Sequence, residues 1–252
     1  MSVTLERDGA LLWVTIARPD ALNAIDYSVM EGLEGVVKSM REDADLRVVV
    51  LRGAGERAFV SGGDLRAFSA LTTEEQGREM AARMKAILRE FEHAPCWTIA
   101  CINGDAYGGG CETLVAMDMR IAAEGVRFGW TQTAFAVPPG WGGLTRLVHL
   151  VGRAKALRWI GLEHRVHARE ALAAGLVDEV VAREELEVRV RALAERLARQ
   201  DREMIGELKR GALRALELPR AAAIRAELEP FARAWGSKAH HQRVAAFLSR
   251  KE

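Results

Sequence analysis

Asn103-Gly104-Asp105-Ala106-Tyr107-Gly108-Gly109-Gly110-Cys111-Glu112 is the stretch on which the reading of this chain turns. It follows an apolar run, Trp97–Ile102, that predicts a strand, and it precedes Thr113–Asp118, which predicts a helix. Three successive glycines let a ligand lie directly against backbone N–H groups, because no Cβ intervenes. Where those N–H groups open a helix, the dipole adds attraction for negative charge. Glu112 then puts one carboxylate about a helical turn inside the same place. The combination points to chemistry that builds an oxyanion and moves a proton beside it.

Around this stretch the chain alternates strands and helices. Ser2–Arg7 and Leu11–Ala17 flank Asp8-Gly9-Ala10 and predict a hairpin. Val29, Leu33, Val36, Val37 and Met40 recur at helical spacing and predict a helix over Ser28–Arg41. Val48–Leu51 is a short continuous apolar run, expected of a buried strand. A polar-faced helix is expected over Glu74–His93, stopped by Pro95. Met119–Ala123 predicts a further strand, and Leu144–Val151 a helix after the rigid loop Pro138-Pro139-Gly140-Trp141-Gly142-Gly143. From Ala154 onward the chain reads as mostly helical. Strand, glycine loop, helix occurs twice, once through Gly62-Gly63 and once through Gly108-Gly109, which implies an α/β core with a helical C-terminal part.

Composition excludes several function classes. With 252 residues and 49% hydrophobic content, the chain can bury a substantial core. A net charge of +1 provides no general basic field for nucleic acid or a membrane surface. The three cysteines, Cys96, Cys101 and Cys111, favour reduced thiols and a cytoplasmic-type compartment, and their spacing is not a zinc pattern. The opening residues carry no signal-peptide pattern, and no apolar run approaches membrane-spanning length. Gly53-Ala54-Gly55-Glu56-Arg57-Ala58 fits a dinucleotide fingerprint, but the residues after it read as extended rather than helical, so a surface turn is expected there. Ser61 precedes two glycines without a matching His and Asp, which argues against a serine hydrolase.

Taken together in order, these motifs resemble the crotonase superfamily, the enoyl-CoA hydratase/isomerase family. Ala58-Phe59-Val60-Ser61-Gly62-Gly63-Asp64-Leu65 is similar to its first oxyanion segment, and Asn103 to Glu112 to its second. Arg18-Pro19, Leu22-Asn23-Ala24, Asp118–Ala123, Arg127-Phe128-Gly129, Pro139–Gly143, Val151-Gly152-Arg153 and Ala174–Val177 continue the likeness, which covers about residues 3–250. The resemblance implies a ββα spiral core over residues 1–190. It also implies a C-terminal helical region, 191–252, that serves the pocket and the contacts of a homotrimer or dimer of trimers. It implies an acyl-CoA thioester as substrate, no cofactor beyond the CoA that the substrate carries, no metal, and no nucleic-acid or membrane partner. Relatives that bind RNA use a lysine-rich first helix, whereas Glu31-Gly32-Leu33-Glu34-Gly35 is not basic.

Residue by residue, the backbone N–H groups of Gly63 and Gly109 correspond to the two oxyanion donors, and Glu112 to a catalytic carboxylate. CoA contacts are implied around Leu22, Ala58, Gly63, Asp64, Leu65 and Arg66, with Arg57 and Arg66 standing where the family often has lysines. The chain departs from the pattern twenty positions after Glu112, where hydratases of the family carry a second glutamate and this sequence has Gln132. Glutamine can orient a water but cannot exchange its proton near neutral pH. Three readings follow: a hydratase-type enzyme working with Glu112 alone; a malonyl-type acyl-CoA decarboxylase, to which Ser61–Leu65 and the Pro-Gly-Trp-Gly-Gly segment bear some likeness; and an acyl-CoA-binding protein with little catalysis. Isomerases of the family usually keep the carboxylate that is lost here. Trp130 and Trp141 are candidates to line an acyl cavity, or to pack the core. His240-His241 either border that cavity or face solvent.

Overall fold

A positive φ of +55° at Gly9 lets the chain reverse between β1 (Val3–Asp8) and β2 (Leu11–Ile16), which pair antiparallel from Val3 opposite Ile16 to Asp8 opposite Leu11. Next comes α1 (Tyr27–Glu42), opened by the Asp26 carboxylate accepting from the Val29 N–H at 2.9 Å. The five apolar positions that predict this helix are all buried. The computed structural model describes residues 1–249, so the last three residues of the 191–252 region lie outside the described residues.

Three passages of strand, strand and helix follow. The first is β3 (Val48–Gly53), β4 (Ala58–Val60) and α2 (Glu74–His93). The second is β5 (Trp97–Ile102), β6 (Asp105–Tyr107) and α3 (Gly109–Leu114). The third is β7 (Met119–Ala123) and β8 (Arg127–Gly129), then a 3-10 turn at Thr131–Phe135, α4 (Gly143–Val151) and α5 (Arg153–Gly161). The chain continues through β9 (Arg165–His167), α6 (Ala168–Ala174) and β10 (Glu179–Val181). It ends in α7 (Leu186–Leu197), α8 (Arg202–Glu217), α9 (Arg220–Ala226), α10 (Leu228–Trp235) and α11 (Lys238–Leu248).

In each passage the chain steps from one sheet to another. One sheet has the order β1-β2-β3-β5-β7-β10, parallel from β2 onward; the other has the order β4-β6-β8-β9, with β9 antiparallel. This is the expected ββα spiral. Parallel strands covered on both faces need apolar residues at every position, and Val48–Leu51 is buried throughout.

One expectation is corrected. The helix after the glycine triplet runs over Gly109–Leu114 rather than Thr113–Asp118. Glycine is a poor helix former, yet a Cβ on Gly110 would lie 1.8 Å from the Val60 carbonyl oxygen, so this first turn must be glycine to pack on β4. Asp118 is then free to leave the helix, and its carboxylate accepts from the Thr98 N–H and hydroxyl at 2.8 and 2.9 Å. The region after Ala154 is mostly helical as expected, and β9 and β10 add short edges to the two sheets. Three-residue strands are too short to show a period.

The C-terminal helices are pinned through a buried ion pair. Lys209 of α8, 4% exposed, places Nζ 2.7 Å from Asp118 and donates to the carbonyls of Phe91 and Cys96, each at 2.9 Å. Beyond α8, Leu228, Phe231 and Trp235 are exposed on α10. Among the described residues no helix is long and apolar enough to cross a membrane.

Candidate active site

The first glycine loop leaves β4 at Val60 and is held by the N-terminal segment. Ser61 N–H donates to the Leu22 carbonyl at 3.1 Å, Ile25 N–H to the Gly62 carbonyl at 2.8 Å, and Asp64 N–H to the Ile25 carbonyl at 2.8 Å. This is a one-residue parallel bridge between Ile25 and Gly63. In such a bridge the middle residue of the triplet turns its own N–H to the other side. The Gly63 amide therefore faces away from the segment that holds it.

Below the bridge, an ionic staple fixes the loop. Arg18 Nη2 lies 2.8 Å from Asp64 Oδ2 and 3.1 Å from Asp26 Oδ2, while Nη1 donates to the Ala24 carbonyl at 2.6 Å. The other Asp64 oxygen accepts from the Arg66 and Ala67 amides at 3.0 and 3.1 Å. The Arg18 hydrogen bond holds the Asp64 carboxyl below its ordinary range. Asn23, buried and at φ +56°, donates through Nδ2 to the carbonyls of Ala54 and Ala58. Asp64→Asn keeps an acceptor for the two amides but loses the ion pair. It is expected to lower kcat/KM by about tenfold, roughly 1.4 kcal/mol, with little change in thermal stability; steady-state kinetics beside thermal melting checks this. An unchanged kcat/KM would show that the staple does not govern the loop.

The second loop abuts the first. A Cβ on Gly62, where φ is +111°, would lie 3.2 Å from the Gly109 amide nitrogen. Gly109 is the first residue of α3, so its N–H has no intrahelical acceptor. Among the described residues, neither the Gly63 nor the Gly109 amide donates to a protein acceptor. Two adjacent partly exposed amides without partners form a donor pair suited to one oxygen.

Glu112 is 2% exposed, and its carboxylate is wrapped by donors. Oε1 accepts from Gln132 Nε2 at 3.1 Å and Gly140 N–H at 3.2 Å. Oε2 accepts from Trp141 N–H at 2.7 Å and Gly143 N–H at 2.8 Å. Burial pushes the Glu112 carboxyl up; the hydrogen bonds pull the other way without cancelling it. Gln132, 8% exposed, is brought to Glu112 by the 3-10 turn, and its Oε1 is buried without a protein partner. The sequence-based pairing of these two positions is thus a direct contact.

Trp141 stands over the glycines. A Cβ on Gly109 would lie 2.1 Å from the Trp141 ring, and one on Gly63 would lie 3.6 Å from the same indole and 3.1 Å from Phe68. Trp130 is instead fully buried in the core.

The remaining expected residues divide. Leu22 is tied to the first loop through its carbonyl, and Leu65 and Arg66 are exposed beside Asp64. Ala58 is buried, its carbonyl taken by Asn23. Arg57 is exposed. On α11 His240 packs against Trp235 of α10 with ring centroids 4.6 Å apart, and His241 meets His240 edge-on. Gly53 ends β3 with two carbonyl oxygens 2.4 Å from where a Cβ would sit, and Gly55 turns at φ +71° into β4, so the dinucleotide-like fingerprint is a strand-to-strand turn. Burial raises the thiols of Cys96 and Cys101 to about 11 and about 12, and that of Cys111 higher still, so none is a ready nucleophile. Sequence reasoning did not find the backbone donors Gly140, Trp141 and Gly143, nor the Arg18–Asp64 staple.

Comparison with known proteins identifies the family and the fold. The profile of the family described as enoyl-CoA hydratase/isomerase matches residues 6–252. The chain is 32% identical over its whole length to a short-chain-enoyl-CoA hydratase of Clostridium acetobutylicum, covering 96% of that protein. It is 29% identical to a crotonyl-CoA hydratase of Syntrophomonas wolfei, again over 96% of the relative. The crystal structure of an enoyl-CoA hydratase from Bacillus anthracis superposes with a TM-score of 0.94 at 30% identity, over 99% of this chain and 97% of the other.

Proposed function

The chain belongs to the enoyl-CoA hydratase/isomerase family, a family of enzymes, and from that premise we propose that it hydrates an enoyl-CoA thioester with Glu112 as its single acid–base group. The observation that carries the reading is the buried contact of Glu112, on the helix that the unpartnered Gly109 amide opens, with Gln132, whose Oε1 has no protein partner.

In this reading the Gly63 and Gly109 amides hold the thioester oxygen. A water lies between Glu112 and Gln132, donating one hydrogen to each. Glu112 takes a proton as the water oxygen bonds to C3 of the substrate; the C2–C3 π electrons shift, and the charge settles on the thioester oxygen. Glu112 then returns the proton to C2. One water is added and the carboxylate is restored, so a second carboxylate is not required. Oε1 carries the two longer hydrogen bonds, which makes it the oxygen that exchanges a donor for the water. CoA contacts fall to Leu22, Leu65 and Arg66, no further cofactor is needed, and the C-terminal region, 191–252, completes the pocket and the contacts of a trimer or dimer of trimers.

Two outcomes check the proton chemistry. As a base Glu112 works ionised, so activity is lost as pH falls through its raised pKa. The acid limb of the kcat/KM profile is expected at higher pH than for an ordinary glutamate; a limb in the ordinary range contradicts the assignment. Gln132→Glu places two carboxyls side by side, which cannot both ionise, so they share a proton. Hydration of crotonyl-CoA is expected to rise by about tenfold, with a new alkaline limb where the shared proton is lost. No gain in a folded variant shows that the pocket does not lack a carboxylate.

One observation favours a second reading. Four donors on Glu112 already occupy both carboxylate oxygens and leave little room for a water, which suits a decarboxylase, where loss of CO₂ itself makes the enolate. Release of CO₂ from a malonyl-type CoA ester without hydration of crotonyl-CoA would establish it. Affinity for CoA esters with neither reaction would leave an acyl-CoA-binding protein.

A further inference from the structure

The thioester oxygen at Gly63 and Gly109 and the proton acceptor at Glu112 fix the direction of the acyl group. C2 and C3 must run from the glycine pair toward the carboxylate. Trp141 flanks that path. Its N–H holds Glu112 Oε2 at 2.7 Å, and its indole covers Gly109 and reaches toward Gly63. Phe68 closes the flank beside Gly63, braced edge-on by Tyr27 with ring centroids 5.3 Å apart.

The indole is also held in place. Arg146 Nη1 donates to the Trp141 carbonyl at 2.9 Å, and Arg146 Nε binds Glu92 of α2 at 2.7 Å. The backbone of Trp141 is thus fixed on one side by Glu112 and on the other by Arg146, and the residue is 5% exposed. A ring so anchored is a wall rather than a mobile lid.

We infer that Trp141, with Phe68 beside it, narrows the acyl pocket beside the glycine pair and restricts this enzyme to short acyl chains. The inference rests on the proposed placement of the thioester at Gly63 and Gly109. Carbons of a longer chain meet a rigid aromatic face, and each extra methylene that cannot be accommodated costs affinity in the transition state.

The test is a series of trans-2-enoyl-CoA esters from crotonyl to dodecenoyl, assayed for kcat/KM. The native enzyme is expected to lose at least about tenfold between the crotonyl and octenoyl esters. Trp141→Ala is expected to raise the octenoyl-to-crotonyl ratio by about tenfold or more, and the milder Trp141→Phe to raise it less. Equal turnover of all lengths by the native enzyme overturns the wall while leaving the proposed reaction standing, and this holds even if Trp141→Ala does not fold. A folded Trp141→Ala with the native length profile also overturns it. Turnover of none of these esters is the separate failure of the hydratase reading.

Discussion

Glu112→Gln is expected to lower crotonyl-CoA hydration by about a thousandfold while leaving affinity for a saturated acyl-CoA within a few-fold of native. The variant is well suited to the question because the site can accept it. The new amide oxygen can take the Trp141 and Gly143 N–H bonds that Oε2 holds now. The new NH₂ falls at Oε1, where Gln132 can turn its presently unpartnered oxygen to receive it. The exchangeable proton site is lost, together with the long hydrogen bond from Gly140 N–H. Calorimetric titration with butyryl-CoA separates binding from turnover. Retention of most of the native rate would remove Glu112 from the chemistry.

Gly143→Ala is expected to reduce kcat by about a hundredfold without removing any functional group of the site. A Cβ there would lie 2.3 Å from Glu112 Cγ and 2.9 Å from Oε2. Gly143 N–H is also one of the two short bonds to the carboxylate. Either Glu112 moves or the loop does, and a displacement near 1 Å is enough to cost that factor. The overpacking is expected to cost about 1–3 kcal/mol of stability as well, read by chemical denaturation. Unchanged kinetics in a folded variant would mean that the exact seat of the carboxylate does not matter.

The parts of this fold visible in the sequence are those where a residue type is forced. Val48–Leu51 had to be apolar because both faces of a parallel strand are covered. Gly109 and Gly110 had to be glycine because Trp141 and the Val60 carbonyl leave no room for a Cβ. The same necessity hid the start of α3, since helix propensity argues against glycines in a first turn. The pairing of Glu112 with Gln132 was visible as a spacing, and the 3-10 turn converts it into a 3.1 Å contact.

The rest of the site leaves no such mark. Gly140, Trp141 and Gly143 act on Glu112 through backbone N–H groups, which every residue but proline possesses. Arg18 and Asp64 stand 46 residues apart, and either alone reads as a surface charge. Tryptophan usually packs a core, so Trp141 was not distinguishable from Trp130 until the indole was seen against the glycines.

The central claim is that this site adds water across an enoyl thioester, with the oxyanion held by two glycine amides and one carboxylate moving the proton. Incubation of the purified enzyme with crotonyl-CoA in deuterated water tests it most directly. The account predicts 3-hydroxybutyryl-CoA with one deuterium at C2, observed by mass spectrometry and NMR. Recovery of unchanged crotonyl-CoA would contradict it.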